Sequence, residues 1–497
     1  MRLRLSVLLP PLLPLLGCAA YALWDAPGLV DQAKVWSDWI QDHFDWLFSW
    51  SIFSCLVIIV IVYFSPLGHI TIGGKDATPM LTRWRWFAIT VCTTIATGIL
   101  FWGTAEPVMH TVTTPEAGMD DPAIFAMSTL FLHWTLTPYG MYTLAGLTFA
   151  LVYYNQKQPF ALSALLAPTL GNRIHFFGGQ AIDAICLFAL VAGMAASLGA
   201  GSLSLVGGLG LAESPAALGG VILVLVSAFS ISAATGLQKG IRLLSNLNVI
   251  GFMLLAVFVF TVGPVREVIS LSIAGFQEYL LTFFPRNLGL DPEIDRDWTH
   301  DWTSFYWANW YAWAPITGLF LGRLGVGYTV REFIRVNLLY TSLFGAFWMV
   351  CFGATSLVLD QGGSLTAALD TGGAQAVIYA LFRELPLQDW TPLIFLILVF
   401  LSYVTAADSN VSALSALCVQ GVSPEQPESP LYVKLLWGGL IGGVAWVLVS
   451  FAGLDGIRLI STLGGFPAMF LLILAGIGLL RISFRTRTRV QKEVPEE

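Results

Sequence analysis

The sequence predicts an all-α integral membrane protein with twelve transmembrane helices, and three observations lead there. Of 497 residues, 56% are hydrophobic and 11% charged, with a mean hydropathy of +0.75; a soluble domain carries roughly 25% charged residues. Apolar stretches of roughly 18 or more residues, each able to cross a hydrocarbon core of about 30 Å, recur along the whole chain. They lie near 5–24, 47–66, 86–107, 124–154, 178–206, 215–235, 243–264, 303–322, 334–358, 391–419, 432–452 and 457–480. Basic side chains segregate between the connections. With the N-terminus placed in the cytoplasm, 18 Lys and Arg fall inside, and 6 (Lys34, Arg266, Arg286, Arg296, Arg383 and Arg458) fall outside. The positive-inside rule then puts both termini in the cytoplasm.

The first stretch, "MRLRLSVLLPPLLPLLGCAAYALW", has two readings: a first span, or a signal peptide with a lipoprotein-like "LLGC" at Cys18. The six cysteines sit in or beside apolar spans without Cys-x-x-Cys spacing and read as packing residues. The longest polar connections, 264–302 and 359–390, are both outside and too small for a core of their own. Most acids fall outside, as in "DPEIDRDWTHD" (291–301), so the formal charge of −7 says little about partners. The basic stretch "RISFRTRTRV" reads as an anchor at the cytoplasmic surface.

Polar groups inside a membrane are costly and therefore informative. The third span reads "VCTTIATGILFWGTAEP" (91–107): Thr93, Thr94, Thr97 and Gly98 form a patch able to unwind, while Gly103 and Pro107 end the span. Glu106 reads equally as a structural cap or a binding group. In the fourth span, "FLHWTLTPYGMYTLAG" (131–146), Tyr139 and Tyr142 share a helical face, and Trp134 precedes them across Pro138, where the helix should bend. Asp183 reads as a helix-start acid. The eighth span opens "FYWANWYAWAP" (305–315), six aromatic rings in eleven positions, with Trp307, Trp310 and Trp313 spaced by three as one stripe. The tenth, "VTAADSNVSALSAL" (404–417), sets Asp408 among Thr405, Ser409, Asn410, Ser412 and Ser415, a pattern that serves helix packing, sodium coordination or proton relay alike.

The aromatic stripes also have two readings. Trp and Tyr anchor helices at membrane interfaces. Their π faces also attract a cation whose charge is spread over methyl groups, at roughly 0.5–2 kcal/mol per contact, with no carboxylate needed. An enzyme would need a His/Asp/Glu cluster or an activated nucleophile. His43, His69, His110, His133, His175 and His300 are scattered, five of them at span ends or in loops, so neither an enzyme nor a resident metal is expected. No stretch reads as a cytoplasmic signalling domain, so a sensor without transport is not expected either.

Taken together, "FWGTAEP" (101–107), "HWTLTPYGMY" (133–142), "SLGAG" (197–201), "GLQKGIRLLSNLN" (236–248), "WTSFYWANWYAWAP" (302–315), "GYTVREFI" (327–334) and "VTAADS" (404–409) resemble the betaine/choline/carnitine transporter family in order and spacing. The resemblance covers about 60 to 480. It implies a LeuT-like fold: two N-terminal helices (1–66), a first five-helix repeat (67–264), an extracytoplasmic connection (265–302), an inverted second repeat (303–480) and a short cytoplasmic tail (481–497). It implies import of a quaternary ammonium compound across the cell (inner) membrane, with an aromatic box of Trp134, Tyr139, Tyr142 and Trp310. Trp307 and Trp313 would line the site or its outer approach. Tyr139 and Asn309 stand where the family usually has Trp, which makes the site more polar and opens it to sulfonium or ectoine-type solutes.

For coupling, the resemblance points to Thr405 and Thr97. Sodium-coupled relatives carry Gly-x-Gly-x-Gly where this chain has "TIATG" (94–98), and Thr-Ser where it has Thr405–Ala406. They often place threonine at Ala196, and sodium-independent exchangers carry arginine at Asn248. Sodium symport, proton symport and exchange stay open. The expected partners are the small substrate, the lipid bilayer and, by the resemblance, two further copies in a homotrimer; neither nucleic acid nor an organic cofactor is expected.

Overall fold

The computed structural model describes residues 3–94, 98–114, 121–171, 178–235, 238–420 and 429–493. Among the described residues the backbone is helical and has no strand beyond two isolated bridges, Leu3 to Val419 and Thr71 to Thr329. This is the form a chain takes when its backbone must satisfy its own hydrogen bonds in lipid.

The first helix, α1 (Leu5–Phe64), counts 60 residues and contains one non-helical residue, Asp25 (φ −148°, ψ 81°). At 1.5 Å per residue a straight helix of this length would reach about 90 Å, roughly three membrane cores. Its contacts show that it turns back. Arg4 pairs with Asp183 at 2.6 Å, and Asp183 accepts from the Ser163 amide at 2.8 Å. At the other end Ser65 meets Ser483 at 3.1 Å, next to Arg481, which donates to the Thr169 carbonyl at 2.7 Å. Both ends of α1 therefore meet the short 163–169 region directly or through one neighbour.

The central helices are α2 (Arg83–Thr94), α3 (Gly98–Val112), α4 (Pro122–Trp134), α5 (Leu136–Ala150) and α6 (Gly178–Gly208). Next come α7 (Pro215–Thr235), α8 (Gln238–Val262) and α9 (Val265–Leu281); residues 247–262 and 265–281 are bent apart by 104°. Then follow α10 (Phe305–Leu324), α11 (Val330–Gly362), α12 (Ala374–Glu384), α13 (Thr391–Leu417) and α14 (Leu431–Glu493), the last kinked at Gly453 (φ 52°, ψ −128°).

Six of the described helices are long and apolar enough to cross a membrane, or seven if the bent pair is one span. The sequence reading expects twelve. The difference arises because two expected spans lie in each of α1 and α14, the third and fourth are divided into α2/α3 and α4/α5, the seventh belongs to the bent pair, and the eighth, α10, is not among the six. Three local expectations are corrected. Gly103 and Pro107 do not end the third span: α3 runs on to Val112, since a proline forfeits only one ladder bond and packing of the buried flanks carries the helix across. The connection 359–390 is not merely polar: α12 buries Val377, Ile378, Leu381 and Phe382. Asp183 is not a helix-start acid: it lies inside α6, fully buried, as the partner of Arg4.

Small residues let the central helices touch. A Cβ at Gly465 of α14 would overlap the Ala308 carbonyl of α10, and one at Gly318 of α10 would lie 2.6 Å from the Ala145 Cβ of α5. Gly439, also in α14, has nothing within 4 Å of such a Cβ. Gly465→Ala should therefore destabilise the detergent-solubilised protein by about 1–3 kcal/mol, read as a fall in its melting temperature. Gly439→Ala should leave the melting temperature unchanged or slightly raised, and equal effects at the two positions would contradict the close crossing.

Candidate functional site

The site begins at the break between α4 and α5. Pro138 has no amide to offer the Trp134 carbonyl, α4 stops at Trp134, and Thr135 adopts φ −125°, ψ −121°. The predicted bend thus falls three residues before the proline. It frees the His133 carbonyl, which accepts from the Trp310 indole nitrogen at 3.1 Å. A broken helix at membrane depth is tolerated where its backbone faces protein partners.

Trp310 is the hub of a ring cluster. Its centroid lies 5.5 Å from Trp134, 5.5 Å from Tyr139 and 5.0 Å from Tyr142, each pair edge-to-face. All four residues are buried. Tyr142 hydrogen-bonds Thr317, whereas the Tyr139 hydroxyl has no hydrogen-bond partner among the described residues. The rings sit in the protein interior, away from the anchoring role open to them in the sequence.

Trp307 and Trp313 do not join this cluster. Trp307 packs edge-on against the His133 ring at 5.7 Å. Trp313 sits over Gly193 of α6 and lines a small cavity with Met194, Ser197, Tyr403, Ala406 and Asn410. The single stripe read from the spacing is corrected to a fan. Three positions advance a helix by about 300°, so each ring trails the last by about 60° and the outer two diverge by about 120°.

Behind Trp134 lies a group whose role the sequence left open. Glu106 of α3 is fully buried. Its Oε2 accepts from the Trp134 indole nitrogen at 2.7 Å and from the Tyr306 hydroxyl. Its Oε1 faces His133 Nδ1 at 2.7 Å and His110 Nε2 at 3.2 Å, and His133 Nε2 meets the Thr303 hydroxyl at 3.2 Å. Glu106 is therefore no cap, and two of the histidines read as scattered converge on it. The signals were present: Glu106 and His110 stand four apart on one helix, and His133 adjoins Trp134. The ligand atoms of Glu106, His110 and His133 lie within 4.8 Å of one another, a spacing compatible with a metal ion. Trp134 and Tyr306 already occupy Oε2.

At the predicted coupling positions, the Thr405 hydroxyl donates to its own helix, at 2.8 Å to Leu401 O and 3.1 Å to Ser402 O. Ala406, its neighbour, lines the Trp313 cavity. Thr97 lies outside the described residues. Asp408 accepts from Ser232 at 3.4 Å.

A profile of the betaine/carnitine/choline family of transporters matches residues 6–488. The chain belongs to this family. It is similar to the ectoine/hydroxyectoine transporter of Virgibacillus pantothenticus, at 28% identity over 91% of both chains. It is similar as well to the glycine betaine transporter OpuD of Bacillus subtilis, at 29% identity over 95% of this chain and 94% of that one. The osmo-independent choline transporter BetT1 of Acinetobacter baylyi is 28% identical over 89% of this chain and 87% of its own. The protein is a multi-pass membrane transporter and not an enzyme.

Two hydroxyls in this site should behave oppositely. Tyr306→Phe removes a donor from a buried carboxylate and should cost about 1–3 kcal/mol, whereas Tyr139→Phe removes an unpaired hydroxyl and should be neutral or stabilising. Melting temperatures of the two variants without substrate test this.

Proposed function

We propose that this protein is a secondary transporter that imports a quaternary ammonium compound of the glycine betaine, choline or carnitine type, holding the ammonium among Trp134, Tyr139, Tyr142 and Trp310. The observation that carries this reading is the buried cluster itself: three rings from the α4–α5 break surround one tryptophan of α10 at 5.0–5.5 Å. Such a wall attracts a methylated cation through its π faces. The rings now pack on one another, so a bound head group takes the place of ring–ring contacts as Trp310 parts from its neighbours. Trp313, beside Ala406 and Asn410, would line the path on the far side of the box, and Trp307 would support His133. The relatives named for ectoine and choline make another methylated or zwitterionic osmolyte the neighbouring reading; the unpaired Tyr139 hydroxyl favours a solute with a polar group near its head.

The architecture belongs to the same proposal. With α1 and α14 each crossing twice about their kinks, and with α2/α3 and α4/α5 each forming one broken span, the chain makes two N-terminal helices (1–66), then repeats at 67–264 and 303–480 joined by 265–302. Alternating access would rock one bundle against the other. Basic segregation supports a cytoplasmic side for both termini, the 481–497 tail included, with the protein in the inner membrane. Assembly as a homotrimer follows from the family likeness alone. Sodium or protons would drive uptake, with substrate exchange as the ion-independent alternative; Thr405 gives its hydroxyl hydrogen to Leu401 and Ser402 and would offer sodium an oxygen lone pair without breaking those bonds.

Uptake of labelled glycine betaine, choline and carnitine into proteoliposomes, under a sodium gradient, a proton gradient or internal substrate alone, tests the function and reads the coupling. Accumulation of at least one is expected; none would overturn the substrate class. Trp310→Leu should weaken binding by about tenfold, equivalent to roughly 1–2 kcal/mol, as one cation–ring contact is lost and the ring–ring contacts that compete with it offset only part, while the protein stays folded. Unchanged affinity, measured by titration calorimetry, would sink the box.

A further inference from the structure

Glu106 is a buried carboxylate with no permanent cation paired to it: two of its partners are histidines, each a counter-charge only when protonated. Its four partners are Trp134, Tyr306, His133 and His110, and among the described residues no lysine or arginine pairs with it. Two guanidiniums lie on this side, and neither hydrogen-bonds Glu106. Arg458 lies 4.8 Å above the Trp302 ring and pairs with Asp455 at 3.4 Å, while Arg286 pairs with Asp291 at 3.1 Å. Removing a carboxylate from water without a cation is costly, and hydrogen bonds offset only part of that cost.

The missing charge has an obvious position one indole away. Trp134 gives its N–H to Glu106 Oε2 and turns its ring toward Trp310 in the box. Tyr306 likewise donates to Glu106 and packs its ring on Trp134 at 5.5 Å. An indole whose N–H is bound to a carboxylate is more electron-rich, so its π face attracts a cation more strongly. A charge in this interior also acts across one ring with little screening.

We propose that Glu106 is the counter-charge of the bound substrate: its field, carried through Trp134, makes the site select a cationic head group over a neutral one of the same shape. The inference rests on the aromatic-box reading. Glu106 does not touch the substrate in this arrangement; it is a positioning residue that acts through Trp134 and Tyr306. The proposal distinguishes two contributions that a box of rings alone would merge, the fit of three methyl groups and the charge they surround.

The test compares choline and glycine betaine with their carbon isosteres, in which a neutral tert-butyl head replaces trimethylammonium, the choline isostere being neutral and the betaine isostere keeping its carboxylate. Affinities are measured on the full-length protein in nanodiscs. Glu106→Gln should weaken both cationic ligands about tenfold or more and leave the isosteres within about threefold. Equal losses for cation and isostere would make Glu106 merely structural and overturn the inference, as would no loss at all. If Glu106→Gln alone is too unstable, Glu106→Gln/His110→Gln repeats the comparison with the second amide accepting from the first, under the same criteria. Trp310→Leu separates the two readings. Loss of choline and betaine binding there, with no charge-selective effect at Glu106, sinks this inference alone. Unchanged binding there, or wild-type protein that binds none of the four ligands, sinks the box and this inference with it.

Discussion

The arrangement of the centre depends on one buried carboxylate. Glu106 is fully buried with no lysine or arginine paired to it among the described residues, and it is held by donors from its own helix, from α4 and from α10. A buried charge left partly unsatisfied costs several kcal/mol, so these donors cannot drift without penalty. The three helices are thereby pinned at one point. Trp134 is fixed twice, by its N–H on Glu106 and by its ring on Trp310. His133 is fixed twice as well, through Nδ1 on Glu106 and Nε2 on Thr303. The orientation of the box wall follows from the network behind it.

The break at Thr135 is the complement of that constraint. A continuous helix would use the His133 carbonyl in its own ladder; the broken one gives it to Trp310. The break near Pro138 therefore accompanies a hydrogen bond that links α4 to α10. Close packing then fixes α10 from its other sides, since Gly318 meets Ala145 of α5 and Gly465 of α14 meets Ala308. Glycine at those contacts substitutes backbone proximity for side-chain volume, which is how helices associate where lipid removes most of the hydrophobic drive.

What the sequence disclosed follows the physics of each signal. Helical class and membrane location were legible because apolar length is a one-dimensional property, and Trp310 and the three rings that pack around it were legible through the family resemblance of the motifs that hold them. The helix boundaries were less so. Asp25 and Gly453 change direction inside unbroken runs, and Thr135 breaks a helix whose proline lies three residues later. Spacing by three suggests one face for Trp307, Trp310 and Trp313, but the lag accumulates with each step and the outer two diverge. Glu106 was hardest to read. Its partners come from residues 110, 133, 134 and 306, and only the first is close in sequence. The same distance in sequence hid the Arg4–Asp183 pair.

Energetic balance at the box bears on how such a site could release what it binds. Each edge-to-face contact around Trp310 is worth about 0.5–1.5 kcal/mol, and each cation–ring contact about 0.5–2 kcal/mol. Exchanging three of the first for three or four of the second is nearly neutral. A cation entering the proposed box would therefore gain little from ring count alone, and the closed cluster would be a real competitor for the same space. Net affinity would have to come from charge, desolvation and the remainder of the solute. For a carrier this is a useful condition: rings that re-form their own contacts when the solute leaves make the empty state stable without making the loaded state a trap. A rigid open cage would lose that property, because its vacated π faces would gain nothing on release.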